Sequence, residues 1–188
     1  MKGRAIFVLF KYLFTVIDLF LKIIPRFVKN AMFDVSSTIP FKIGIGFRYV
    51  LFRSLVKSSG DNIYIGRWVI FKHLSELNVG DNVSFHEYCY IDAKGGITIG
   101  NDVSVAHACS LISFEHGFSD ETESIKYQPL TLKPIVIASN VWLGCGVRVL
   151  AGANIDTKTV VAANSVVKGH LEGSTIYAGI PVKAIRKI

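Results

Sequence analysis

Five histidines, at 73, 86, 107, 116 and 170, are the side chains of this 188-residue chain best suited to moving protons near neutral pH. His116 has the richest surroundings: Glu115 precedes it and Asp120 follows four places on. An imidazole can take a proton from a hydroxyl and pass it on. A carboxylate or carbonyl on its other ring nitrogen would fix the tautomer. Glu115, Asp120 and a main-chain carbonyl are all candidates for that orienting group, and a solvated loop histidine would read the same way. The three cysteines, Cys89, Cys109 and Cys145, form no CxxC pair and show no metal-ligand spacing. Cys89 and Cys109, at the fifth place of a hexad, read as small core residues in a reducing compartment rather than as a disulfide. No metal is expected.

The elements that must position His116 repeat every six residues. Val79-Gly80-Asp81-Asn82-Val83-Ser84 is one copy and Ile99-Gly100-Asn101-Asp102-Val103-Ser104 another. Six more run without a break, opening at Ile137, Leu143, Val149, Ile155, Val161 and Val167. Such a short period predicts an all-β solenoid in which each strand buries an aliphatic residue against the coil below. Three hexads close one triangular coil, two-residue insertions reset the register at Leu77-Asn78 and Ile97-Thr98, and about five coils are expected. Glycine at the second hexad place suits either unusual backbone angles or a tight approach. The repeat is interrupted once, from Ser113 to Pro134, and an excursion of 22 residues is too long for a simple connection. His116 lies at its start.

The chain divides into an N-terminal segment, 1–60, and a solenoid, 61–188. Its hydrophobic content of 51% argues against disorder over most of its length. The net charge of +7 is local: residues 1–60 carry ten Lys or Arg against Asp18 and Asp34, while the remainder is near neutral. Any attraction to anionic partners therefore belongs to the first third, and no nucleic-acid partner is expected. Residues 4–29 read as one helix with Arg4, Lys11, Asp18, Lys22 and Lys29 on a narrow face, ended or kinked at Pro25. It could pack on the solenoid or a partner subunit, lie in a membrane surface, or span a membrane. Lys11 and Asp18 argue against spanning. Met1-Lys2-Gly3-Arg4 resembles a signal-peptide start, but no convincing cleavage site follows. A second helix is expected from Phe47 to Val56, with Arg48 and Arg53 facing lipid or solvent.

Three linked motifs give the chain a family resemblance. His116 is followed by Lys133-Pro134-Ile135-Val136-Ile137; then comes Val141-Trp142-Leu143-Gly144; last is Ala178-Gly179-Ile180-Pro181-Val182-Lys183 with Arg186 beyond. In this order they resemble the hexapeptide-repeat acyltransferases, particularly the galactoside/maltose O-acetyltransferase branch and its relatives in bacterial polysaccharide synthesis. The likeness covers roughly residues 61–188. It implies a left-handed parallel β-helix, acetyl-CoA as co-substrate and a homotrimer whose sites form between adjacent subunits.

By that resemblance His116 is the general base that deprotonates a substrate hydroxyl for attack on the thioester. Trp142 walls the catalytic channel, Cys145 lines the acetyl-CoA arm, and Ala163 contacts pantetheine through its backbone. Lys168, Lys183 and Arg186 meet the CoA phosphates. His86 falls where the sugar acetyltransferases carry an acceptor-binding asparagine. That departure, with the long apolar and basic N-terminal segment, turns the expected acceptor from a simple galactoside toward a larger or lipid-linked glycan. The enzyme is then expected in the cytoplasm, peripheral at the inner face of the bacterial cytoplasmic membrane through residues 1–30. Competing readings are an N-acyltransferase of an amino sugar, a non-catalytic β-helix scaffold and a zinc hydratase like the γ-class carbonic anhydrases. The five histidines lack the hydratase spacing. Serine acetyltransferase is disfavoured because its large helical domain is missing.

Overall fold

A computed structural model describes residues 12–14 and 16–188. From Ser58 onward the chain winds as a left-handed parallel β-solenoid of triangular section. The first face stacks six parallel strands, from Ser58–Ser59 to His170–Leu171. The second runs from Tyr64–Ile65 to Thr175–Gly179 and ends on the antiparallel strand Val182–Lys187. The third holds five strands, from Ile70–Lys72 to Val166–Val167. Five coils are thus complete, and a sixth lacks its third face.

Each strand is so short that it offers one or two side chains inward, and the hexad's aliphatic residue is among them. On the second face Ile65, Phe85, Val105, Leu143 and Val161 stack in register, all fully buried. Burying one such side chain contributes roughly 1.5–3 kcal/mol. A single coil has no second layer to bury it against, so stacking supplies the core.

At the first corner the backbone turns left-handed at Asn62, Asn82, Asp102 and Asn140, with φ between 57° and 59°. Asn and Asp tolerate this region, and here they also bond between coils. Asn62 Nδ2 donates to Asn82 Oδ1 at 2.9 Å, and Asn82 Nδ2 donates to Asp102 Oδ1 at 3.0 Å. The hexad glycines serve the tight approach instead. A Cβ on Gly100 would stand 2.7 Å from Ser139 N, and one on Gly144 2.7 Å from Ala163 N.

Among the described residues the N-terminal segment shows three helical pieces where two were expected. Residues 12–14 and 16–21 are helical. Pro25 then caps α1, Arg26–Ser36, and α2 follows over Phe41–Leu55. Proline lacks the N–H that a helix interior needs but fits at a helix start, so the break falls there. Of the expected charged stripe, Arg4 and Lys11 lie outside the described residues. Lys29 leaves the stripe altogether: it is buried on α1, and its Nζ donates to Ser54 O at 3.1 Å.

Helix α2 closes the base of the solenoid. Phe52 is fully buried, its ring centroid 4.9 Å from that of Phe71. Arg48, expected to face lipid or solvent, is only 2% exposed. Its Nε donates to Ile65 O at 2.8 Å and its Nη1 to Ser36 O at 2.9 Å and Ile39 O at 3.3 Å. A buried guanidinium needs such acceptors, and the carbonyls left over where α1 meets α2 and the first coil provide them. Arg53 pairs with Asp18 at 2.9 Å. Among the described residues no helix is long and apolar enough to cross a membrane.

Candidate functional site

The excursion after Ser113 is a two-stranded arm. Strands Phe114–His116 and Leu130–Leu132 pair antiparallel, with His116 opposite Leu130. Its root is tied to the third corner by the fully buried Ser113, whose hydroxyl donates to Asp92 O at 3.0 Å and accepts from Gly95 N at 2.8 Å. Its tip folds around Gln128, a polar side chain only 5% exposed. Gln128 Nε2 donates to Asp120 O and Glu123 O, both at 2.8 Å, and Gln128 Oε1 accepts from Asp120 N at 3.1 Å.

The ring of His116 is exposed at the end of its strand. The two carboxylates nearest in sequence are engaged elsewhere. Glu115 accepts from Lys133 Nζ at 2.9 Å, and that bond, with a weaker contribution from Lys168, holds its carboxyl below the usual range. Asp120 accepts from the hydroxyl and main-chain N–H of Thr122, at 2.7 and 2.8 Å.

A second group of expected residues sits on the second face and the corner that follows it. Trp142 is 54% exposed, in register between Ser104 and Val160. Cys145 is half-buried at the corner, and its carbonyl accepts from Asn164 N at 2.8 Å in the next coil. Ala163 is exposed beside it. Because Gly144 brings the main chains this close, the strip from Gly144 to Ala163 presents small side chains and peptide groups. His86 lies on the same corner two coils below Gly144, its ring centroid 5.4 Å from that of Tyr64. The Tyr64 hydroxyl donates to Glu87 Oε1 at 2.9 Å. Burial works to raise the Glu87 carboxyl, but a main-chain N–H, the Tyr64 hydroxyl, His86 and Arg48 outweigh it and hold the group low.

The remaining basic residues are exposed. Lys168 follows the third-face strand Val166–Val167, while Lys183 and Arg186 lie on the last strand opposite Ala178 and Ile176. The turn joining that hairpin contains a cis Ile180–Pro181 bond.

The expected site is therefore divided within one chain. His116 and Lys168 stand at the third corner, whereas His86, Trp142, Cys145 and Ala163 belong to the second face and second corner. The width of the third face separates the two groups.

Two features escaped the sequence reading. Gln128 gave no signal in a polar stretch, although the alternation in Leu130-Thr131-Leu132 could have shown the arm's second strand. His73 Nδ1 lies 2.7 Å from the buried Asp92 Oδ1. Their separation of about one coil was available as a clue. Cys89, Cys109 and Cys145 are free thiols, the first two fully buried. Among the described residues no group of three His, Cys, Asp or Glu is gathered as metal ligands.

No family model matches the chain. WbbJ of Escherichia coli, which carries the name of a lipopolysaccharide biosynthesis O-acetyl transferase, is 37% identical over 129 residues, 65% of this chain and 62% of WbbJ. The chain thus spans less than two thirds of that relative's length. YJL218W of Saccharomyces cerevisiae, named an acetyltransferase, is 31% identical over 138 residues, 72% of this chain and 68% of its own. Among solved structures, the hexapeptide-repeat acetyltransferase VCA0836 of Vibrio cholerae, complexed with acetyl coenzyme A, superposes with a TM-score of 0.76. It is 24% identical, and the alignment covers 85% of each chain. That likeness carries the fold, and the sequence relatives carry the kinship. By both, the chain belongs to the hexapeptide-repeat acyltransferase family.

Proposed function

We propose that this protein transfers the acetyl group of acetyl-CoA to a sugar hydroxyl of a cell-surface polysaccharide precursor. His116 takes the hydroxyl proton, the freed oxygen attacks the thioester carbon, and CoA leaves as a thiol with the proton His116 held. Residues 61–188 perform this chemistry. The strip of small residues from Gly144 to Ala163, walled by the exposed Trp142, fits an extended thioester arm. Lys168, Lys183 and Arg186 supply positive charge for its phosphates, and His86 offers the acceptor a hydrogen-bonding edge.

The observation that carries this reading is the arm itself. A root tied through Ser113 and a tip tied through Gln128 hold a histidine away from the solenoid wall. Across the third face stands the strip beside Trp142. The division is understood if the protein is a homotrimer in which the arm of one subunit closes on the second face of its neighbour. The relatives' names support acetyl transfer and, through WbbJ, a lipopolysaccharide-like acceptor. The +8 balance of residues 1–60 supports work at the inner face of the cytoplasmic membrane, where a lipid-linked glycan is presented.

The test is release of free thiol from acetyl-CoA against sugars, amino sugars and lipid-linked oligosaccharides. His116→Ala should lower the rate at least about a hundredfold while acetyl-CoA still raises the melting temperature of the variant. Full activity in His116→Ala, or no thermal response of the wild-type protein to acetyl-CoA, would overturn the reading.

A further inference from the structure

The first helical stretch, residues 12–14 and 16–21, is apolar on two sides and covered on one. Its inner side holds Phe14, Ile17, Asp18 and Leu21, spaced as one helical face. Phe14 meets the ring of Tyr49 edge-on at 5.3 Å, Ile17 packs on the core, and Leu21 is buried. Tyr12, Leu13, Val16, Leu19 and Phe20 have the same spacing on the outer side, and all are exposed. Ile23 and Phe27 continue the exposed series past Pro25 onto α1, at 82% and 75%. A helix with a second apolar side is one whose surroundings are meant to cover it, and so long an uncovered run marks an interaction surface.

Charge decides what covers it. Four of the ten basic residues in 1–60 are engaged internally: Arg26, Lys29 and Arg48 on carbonyls, and Arg53 on Asp18. The last pairing also removes one of only two acids. Among the described residues up to 60, this leaves Lys22, Lys42 and Lys57 exposed against Asp34. A second copy of the chain would bring the same positive field against itself. An anionic bilayer offers hydrocarbon for the aromatic and aliphatic side chains and negative headgroups for the lysines.

We propose that the outer side of this first helix, continued by Ile23 and Phe27, is an in-plane docking surface for an anionic lipid bilayer. It gives the membrane location suggested above a defined set of residues, and it stands independently of the acyl-transfer chemistry.

Co-sedimentation of the full-length protein with phosphatidylglycerol-containing vesicles, against pure phosphatidylcholine vesicles, tests it. The wild-type protein should bind the anionic vesicles, and binding should weaken as salt is raised. The double variant Phe20→Asp, Ile23→Asp should lose at least about tenfold in partitioning. Lys22→Glu with Lys42→Glu should also lose at least about tenfold, at roughly fivefold per lysine. Both pairs are exposed, so the melting temperature and thiol release with a soluble acceptor should not change. Equal sedimentation of wild-type and Phe20→Asp, Ile23→Asp proteins would overturn the proposal. So would a fall in the mass measured by light scattering for that variant without loss of vesicle binding, which would give the surface to a second copy. If thiol release is absent while vesicle binding behaves as stated, only the enzymatic reading fails.

Discussion

Replacing Gln128 with leucine should loosen the arm without loosening the solenoid. The side chain is 5% exposed and makes three hydrogen bonds, two from Nε2 and one to Oε1, all to main-chain groups at the arm's tip. Each such bond contributes about 1 kcal/mol net, so the tip should lose roughly 3 kcal/mol. At 1.4 kcal/mol per tenfold, the opened arm should become about a hundred times more populated. The loss stays local because all three bonds lie within the arm's tip, and an arm can open well below the global unfolding energy. Limited proteolysis at low protease is the assay, since cleavage then follows the population of the open form. Residues 119–127 should be cut about a hundredfold faster in Gln128→Leu, with the melting temperature within a few degrees of wild type. Gln128→Glu keeps the size but loses both donors and turns a negative charge toward two carbonyls, so it should behave the same way. If cleavage is unchanged, or if cleavage and melting temperature change together, Gln128 is not a local pin and the reasoning is wrong.

Arg48→Met should destabilise the whole fold, by about 3–5 kcal/mol, because it removes a buried guanidinium and its bonds to the carbonyls of Ile65, Ser36 and Ile39. Urea denaturation should show a lower midpoint, and a change below 1 kcal/mol would mean that water replaces the guanidinium freely. Glu115 gives a pH-dependent prediction. Its carboxyl is held below the ordinary value by Lys133, so what it contributes to the arm is present above the unfolded carboxylate pKa and lost as pH falls through the depressed folded value. Lys133→Met should raise the Glu115 titration toward the ordinary carboxylate value by NMR, and no movement would contradict the pairing.

The architecture could be read from the sequence because the solenoid is local. A six-residue phrase with one inward aliphatic residue carries its own instruction, and each repetition meets only its neighbours. The same locality let the interruption at Ser113 be seen, and with it His116. The helical segment was less readable. Basic residues at helical spacing look like a solvated stripe, yet Lys29 and Arg48 are buried because carbonyls left over where the helices end and meet the first coil needed donors. The hexad glycines likewise could not be assigned in advance. At the first corner the left-handed turns fall on Asn62, Asn82, Asp102 and Asn140, while Gly100 and Gly144 serve the close passage of one coil over another.

On its own, then, the sequence determined the coil, the place where it is broken and the residue types carried there, since each depends on contacts between chain segments about one period apart. Only the tertiary structure decided that the excursion is an arm pinned at both ends and that Arg48 lies inside. It also decided that His116 and the strip beside Trp142 stand on opposite edges of the third face. Those depend on which carbonyls are left over and on the angle at which one triangular face turns into the next, and neither quantity belongs to any single hexad.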